Sequence, residues 1–162
     1  MLRDARQMVE LGFAAREPRQ QSCSAVIGVK LPPLRMTDVK SPSVLVVDDD
    51  VETLDIVEFW LKDTGYDVVT CSRFDAARNY LASHSPDALV TDIRLGEFNG
   101  LQLALRASEP GRRTAVVVMS AYDDVVSRRD AETVGRFVLK PFDREELLAR
   151  LSEALSATDG PR

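Results

Sequence analysis

The chain has 162 residues, of which 44% are hydrophobic and 29% are charged, and its formal net charge is −5 at pH 7. This length suits one domain with some chain to spare, and the hydrophobic content is ordinary for a globular protein. No apolar run approaches the roughly 20 residues of a membrane-spanning helix, and Asp4 and Glu10 lie where a secretory signal would be apolar. The two cysteines, Cys23 and Cys71, have no metal-ligand spacing. We therefore expect a reduced, cytoplasmic protein without membrane insertion.

Charge is distributed unevenly along the chain. Residues 1–42 carry seven basic and four acidic side chains, whereas residues 43–157 carry 13 basic and 21 acidic ones. Binding to nucleic-acid backbones needs clustered lysine and arginine, and the acidic region offers only two arginine pairs, at 112–113 and 128–129. We therefore expect no direct contact with nucleic acid.

Residues 1–42 also differ from the rest of the chain in their pattern. MLRDARQMVELGFAAR has the spacing of one short amphipathic helix, and the segment after it mixes Pro, Gln, Ser and Gly without a steady period. We interpret residues 1–42 as a flexible or partly helical extension, residues 43–157 as the folded domain and residues 158–162 as a tail.

From residue 43 onward, apolar strands alternate with segments of helical period. The predicted strands lie at 44–47, 66–71, 88–90, 115–119 and 137–139. Apolar side chains at helical spacing predict helices at 52–63, 74–81, 101–105, 123–134 and 147–155. Strands that alternate with helices imply right-handed crossovers, so the pattern predicts an α/β fold with a five-stranded parallel sheet covered by helices on both faces.

Polar side chains stand at the carboxyl ends of four of these strands. They are Asp48, Asp49 and Asp50 after the first strand, Asp92 after the third, Ser120 after the fourth and Lys140 after the fifth. In an open parallel sheet, ligands bind outside the carboxyl ends of the strands, so we expect these side chains to converge. Two carboxylates 4 Å apart repel by about 1 kcal/mol even in water, and a divalent cation would offset that repulsion. Mg²⁺ prefers such oxygen ligands.

The same side chains have the chemistry of a phosphoryl acceptor. A carboxylate can act as a nucleophile and form an acyl phosphate, while a metal ion and a lysine neutralise charge on the phosphoryl oxygens. The chain has no glycine-rich ATP-binding loop of the Walker type, so we expect the phosphoryl group to come from a partner.

The segments VLVVDDD, ALVTDIRLGEFNG, VVVMSA and FVLKPF, in this order, resemble the receiver domain of two-component response regulators over roughly residues 43–157. The resemblance implies a flavodoxin-like, doubly wound parallel sheet of strand order 2-1-3-4-5 with five helices. It also implies a signalling module rather than an enzyme, since a receiver catalyses only its own phosphorylation and dephosphorylation. Because no output domain follows residue 157, we expect a stand-alone receiver.

By this resemblance, the acidic residues form the acceptor and its metal site. Asp92 is the expected phosphoacceptor and also contacts Mg²⁺. Asp49 is expected to bind the ion directly, and Asp48 to support it through water. The backbone carbonyl of Arg94 is the expected third protein ligand. The family often has Met-Pro in the following loop, where this chain has Leu and Gly at 95–96, and we expect this departure to loosen the loop without touching the chemistry.

The resemblance extends to the remaining strand ends. Lys140 is expected to contact the phosphoryl group, and its peptide bond to Pro141 is expected to be cis, which is uncommon enough to serve as a structural test. Ser120 supplies the hydroxyl that reports phosphorylation. Phe137 fills the aromatic switch position, for which static packing is the alternative.

The partners implied by the resemblance are proteins. A sensor histidine kinase or a histidine phosphotransfer protein would donate the phosphoryl group, with a small acyl phosphate as the alternative donor. The output would be contact with an unknown downstream protein through the face formed by the fourth helix, the fifth strand and the fifth helix, which is also the candidate homodimer face.

Two other functions stay open from the sequence. Asp48-x-Asp50 resembles the first motif of haloacid-dehalogenase phosphatases, although Glu52 replaces the expected Thr or Val and the acidic metal-binding pair expected after Lys140 is not recognised. A pseudo-receiver that binds partners without phosphorylation is the second alternative.

Several single residues have simpler interpretations than a functional one. Asp50 is expected to cap the first helix rather than bind metal, because a carboxylate suits the positive end of a helix dipole. His84 is expected to be a surface residue rather than a phosphorelay histidine. Cys71, Trp60 and Phe74 are expected to be core residues.

Overall fold

The structure is a computed structural model that describes residues 40–122 and 125–158, with the side chains of all but residues 125–127. The extension predicted over residues 1–42 lies outside these residues except for 40–42. The tail predicted over residues 158–162 lies outside them except for Thr158, which ends the last helix.

Five parallel strands form the central sheet, and a two-stranded antiparallel hairpin lies beside it. In chain order, the strands are β1 Ser43–Val47, β2 Asp67–Cys71, β3 Ala88–Asp92, β4 Arg94–Leu95, β5 Phe98–Asn99, β6 Ala115–Ser120 and β7 Arg136–Leu139. The sheet has the order β2-β1-β3-β6-β7, and β4 pairs with β5. When the short hairpin is left out of the count, this is the order 2-1-3-4-5, so the predicted doubly wound fold is confirmed.

Five helices connect the strands. They are α1 Val51–Asp63, α2 Phe74–Ser83, α3 Leu101–Ala107, α4 Val125–Val134 and α5 Arg144–Thr158. None of the described helices is long and apolar enough to cross a bilayer.

The sheet separates two apolar layers. Because side chains alternate along a strand, Val44 and Val46 of β1 face one layer while Leu45 and Val47 face the other. The first layer contains side chains of α1 and α5, and the second contains side chains of α2, α3 and α4. Each fully buried Val or Leu stabilises the fold by about 1.5–3 kcal/mol, so the strands are held by both layers and their carboxyl ends are fixed in position.

The segment RLGEFNG contains the β4–β5 hairpin, whereas its sequence indicated only a loop. Leu95 pairs with Phe98 across the hairpin, and Leu95 is buried. The ring of Phe98 stacks on that of Phe74 in α2, with centroids 4.7 Å apart and an interplanar angle of 9°. Two-residue strands are too short to give a period of two, so the pattern could not indicate them.

The expected burial of three residues needs correction. Leu105, counted in the apolar stripe of the third helix, is 58% exposed. The buried face of α3 consists of Leu103, Ala104 and Ala107, and Leu105 lies on the opposite face. Phe74 is buried, as expected, whereas Cys71 and Trp60 are only partly buried.

Candidate functional site

The registers of the parallel strands bring the predicted polar residues to one edge of the sheet. Asp92 is the register partner of Met119, one residue before Ser120. Ser120 in turn pairs with Leu139, one residue before Lys140, and the Lys140 N–H donates to the Ser120 carbonyl at 2.7 Å. Strands β3, β6 and β7 therefore deliver a carboxylate, a hydroxyl and an ammonium group at neighbouring positions.

Asp48, Asp49 and Asp92 form an acidic cluster. One carboxylate oxygen from each lies within 4.8 Å of those of the other two. Asp48 and Asp92 are 0% and 8% exposed, whereas Asp49 is open to solvent. Three carboxylates at this separation, one of them accessible, fit the oxygen donor set of a divalent cation such as Mg²⁺.

Lys140 provides the positive charge inside this cluster. Its Nζ lies 2.5 Å from Asp48 Oδ2 and 3.6 Å from Asp92 Oδ1. The peptide bond between Lys140 and Pro141 is cis, the geometry that the resemblance implies. The ammonium group thus compensates the two buried acids, which would otherwise repel each other in a poorly solvated position.

The electrostatics of the cluster act most strongly on Asp92. The pKa of this carboxyl is raised to about 6, chiefly by burial, with Lys140 lowering it and the charges of Asp48 and Asp49 adding to the rise. Because this pKa still lies below neutral pH, Asp92 is mainly a carboxylate there, the form in which it can attack phosphorus.

A comparison with known families tests the resemblance of this chain to receiver domains. The family model described as the response regulator receiver domain matches residues 44–152. The chain belongs to this family. The resemblance to receiver domains that the sequence indicated is therefore confirmed over most of the chain.

Individual relatives are similar to this receiver chain over 120 to 139 residues. The transcriptional regulatory protein TrcR of Mycobacterium tuberculosis is 33% identical over 139 residues, covering 85% of this chain and 52% of TrcR. The response regulator MprA of Mycobacterium bovis is 33% identical over 120 residues, covering 73% of this chain and 52% of MprA. This chain therefore spans about half the length of these curated relatives.

A solved structure supports the fold. The crystal structure of a response regulator receiver protein from Sinorhizobium medicae matches with a TM-score of 0.68 at 26% identity. The match covers 74% of this chain and 98% of the Sinorhizobium chain.

Ser120 of the receiver is buried, and its hydroxyl is engaged with the backbone of Tyr122. The Ser120 hydroxyl donates to the Tyr122 carbonyl at 3.1 Å, and the Tyr122 N–H donates to Ser120 Oγ at 3.0 Å. The guanidinium of Arg94 lies 4.0 Å from the centroid of the Tyr122 ring. The predicted contacts of the Ser120 hydroxyl with phosphate and of the Arg94 carbonyl with metal stay predictions.

Asp50 is separate from the acidic cluster. Its carboxylate accepts hydrogen bonds from the Glu52 N–H at 3.1 Å and from the Thr53 hydroxyl at 2.7 Å, which caps α1. The Thr53 hydrogen bond is the main reason why the pKa of Asp50 is lowered. The capping interpretation is confirmed, and the Asp48-x-Asp50 pair that resembled a phosphatase motif is divided between two roles.

Phe137 and His84 lie away from the acidic cluster. The ring of Phe137 is buried in the layer of α2, α3 and α4, with the guanidinium of Arg128 5.3 Å from its centroid. Its predicted switch role stays a prediction. His84 is exposed and stacks on Tyr80 at a centroid distance of 4.2 Å, so the surface interpretation is confirmed.

Two glycines of the acceptor loop belong to the site, although sequence reasoning did not select them. The Gly96 N–H donates to Asp49 Oδ2 at 3.1 Å. A Cβ on Gly100 would lie 1.8 Å from the backbone oxygen of Asp92, so only glycine fits there. The available signal was the pair of glycines shortly after Asp92, because glycine often marks close backbone approach.

Proposed function

We propose that this receiver domain accepts a phosphoryl group on Asp92 and signals by protein–protein contact. The observation that carries the proposal is a buried carboxylate at the carboxyl edge of a parallel sheet, with Lys140 Nζ 3.6 Å away and two further carboxylates in the same cluster. This combination supplies a nucleophile, a cation and a metal-binding set at one position.

The proposed donor is a phosphohistidine of a sensor histidine kinase or of a histidine phosphotransfer protein. An oxygen of Asp92 forms a bond to phosphorus while the phosphorus–nitrogen bond of the donor breaks. The electron pair of that bond returns to the imidazole ring, which leaves, and Asp92 becomes an acyl phosphate.

The remaining site residues stabilise the phosphoryl oxygens. Asp48, Asp49, Asp92 and the backbone carbonyl of Arg94 would hold Mg²⁺, which supplies positive charge to those oxygens when bound. Lys140, which contacts the Asp48 carboxylate, supplies a second positive charge. No ATP-binding loop is needed, because the donor is already phosphorylated.

The signal is proposed to leave the site through Ser120 and Phe137. The Ser120 hydroxyl would exchange the Tyr122 carbonyl for a phosphoryl oxygen and so free the backbone after β6. Phe137 lies on the neighbouring strand β7, next to the face of α4, β7 and α5 that we propose as the contact for a downstream protein or a second copy. We place this exchange in the cytoplasm, where the free thiol of Cys71 stays reduced.

Phosphorylation with a small donor tests the proposal. The protein is incubated with acetyl phosphate and Mg²⁺, and its intact mass is measured. We expect a gain of one phosphoryl group in the native chain and none in Asp92→Asn, because the amide is not a nucleophile. Asp87→Asn is the matched control, since Asp87 lies at the opposite end of the sheet, hydrogen-bonded to Ser43. An unchanged native mass would favour the pseudo-receiver alternative, and equal labelling of both Asn variants would place the acceptor elsewhere.

A further inference from the structure

Asp49 is held differently from the other two acids of the cluster. Asp48 and Asp92 both have ion-pair contacts with Lys140. Among the residues that the structure describes, the hydrogen-bond donor to Asp49 is the backbone N–H of Gly96, at 3.1 Å from Oδ2. Asp49 is exposed, so water solvates its carboxylate, and within the described part of the chain the Gly96 N–H is the group that fixes the orientation of this carboxylate.

The backbone of Gly96 makes this donation possible. Its φ is +61°, in the left-handed region that glycine adopts without strain. A Cβ at this position would have no heavy atom within 4 Å, so the glycine is required by its backbone conformation and not by crowding. A residue without an N–H, or one excluded from positive φ, would remove the hydrogen bond.

The hairpin that carries Gly96 is fixed from outside the cluster. Leu95 is buried in the core layer on the α2 side of the sheet, and its pair Phe98 stacks on Phe74 of α2. Phe98 itself is 46% exposed and is not part of the acidic cluster. Its stacking sets the position of the β4–β5 turn, and the turn sets the position of the Gly96 N–H.

We infer that the Gly96 N–H is a positioning group for the metal ligand Asp49, and that the Phe74–Phe98 stack holds it in place. The hydrogen bond from the Gly96 N–H to Oδ2 fixes the orientation of the Asp49 carboxylate. The second carboxylate oxygen, Oδ1, is therefore already oriented to bind a cation. Groups that orient a metal ligand in this way typically change metal affinity by 10–100-fold when removed. This inference rests on the proposed function, since it assumes that the cluster binds Mg²⁺.

Mg²⁺ affinity, measured by calorimetric titration, tests the inference. We expect Gly96→Val to weaken binding about tenfold, because a β-branched residue does not adopt the positive φ and the N–H would turn away from Asp49. Gly96→Asn keeps the N–H and tolerates the left-handed region, so its affinity should stay within about twofold of the native value. Equal affinities for the Val, Asn and native proteins would overturn the inference.

Phe98→Ala tests the role of the Phe74–Phe98 stack and decides the case if Gly96→Val does not fold. It removes the stack without touching any carboxylate, and we expect a several-fold weaker affinity for Mg²⁺. Leu105→Ala is the matched control, because it also removes an exposed large apolar side chain and should leave the affinity unchanged. Equal affinities for these two variants would contradict the role of the stack.

The amide proton of Gly96 gives a readout that is independent of activity. In a ¹H–¹⁵N correlation spectrum, Asp49→Ala should move this resonance upfield through loss of its acceptor, while the amide of Asn99 stays in place. A native protein that binds no Mg²⁺ would refute the proposed function and this inference together. Mg²⁺ binding by the native protein together with an unchanged affinity of Gly96→Val would refute only the inference.

Discussion

The acidic cluster has a buried half and an exposed half, and the two are stabilised by different means. Asp48 and Asp92 are buried and share the ammonium group of Lys140, whose backbone is fixed by strand register. Asp49 is exposed, and the hydrogen bond that it accepts within the described residues comes from Gly96, in a hairpin outside the main sheet. The buried half is therefore organised by folding itself, whereas the exposed half depends on a local contact that can be removed without unfolding the domain.

The largest expected effect comes from Gly100, which contacts the buried half. Gly100→Ala should destabilise the domain by about 3 kcal/mol or more, because its Cβ would overlap the backbone oxygen of Asp92. Gly96→Ala on the exposed half should cost only about 1–2 kcal/mol, since it meets no atom and adds only the strain of a positive φ.

Urea unfolding of both variants measures this difference. We expect Gly100→Ala to have a clearly lower free energy of unfolding than Gly96→Ala. Similar free energies of unfolding would mean that the backbone at Asp92 can shift to accept a methyl group.

The sequence predicted the buried half better than the exposed half. The uninterrupted apolar run at residues 44–47 predicts a strand that is buried on both faces. In a parallel sheet, the polar residues at the ends of such strands lie at the same edge because of the topology alone. Asp50 could be assigned to the α1 cap because a carboxylate one residue before a helix typically accepts a hydrogen bond from a backbone N–H of the first turn.

The exposed half depends on backbone geometry that side-chain patterns do not record. The β4–β5 hairpin has two residues in each strand, and the donor to Asp49 is a backbone N–H whose direction is set by the φ of Gly96. The hydrogen bonds between Ser120 and the backbone of Tyr122 are equally local. Each is a consequence of dihedral angles, so it could be measured in the structure but not inferred from residue types.

A smaller effect is expected from the charge of Asp92 itself. Because burial raises its pKa to about 6, the folded state binds a proton more tightly than the unfolded state, whose carboxyl has a pKa near 3.9. Stability from this group is therefore present below about pH 4 and is lost as the pH rises to about 6. Without divalent cations, Asp92→Asn should be more stable than the native domain by about 1 kcal/mol at pH 7, once solvent screening is allowed for.

Urea unfolding in the presence of a chelator, at pH 4 and pH 7, checks this expectation. The advantage of Asp92→Asn should shrink towards zero at pH 4, where the native carboxyl is protonated in the folded state and about half protonated in the unfolded state. An Asp92→Asn domain that is less stable than the native one at pH 7 would show that the Lys140 contact outweighs burial.

The smallest effect is expected from Asp50, which lies beside the exposed half but outside it. Asp50→Ala removes the acceptor for the Glu52 N–H and the Thr53 hydroxyl, and loss of an N-cap should lower the melting temperature by a few degrees. Mg²⁺ affinity should stay unchanged, because the carboxylate is turned towards α1 and is not one of the three in the cluster. Calorimetric melting and Mg²⁺ titration of the same variant separate the two properties. A tenfold loss of affinity with an unchanged melting temperature would mean that Asp50 contributes to the metal site, and the exposed half would then contain two acids instead of one.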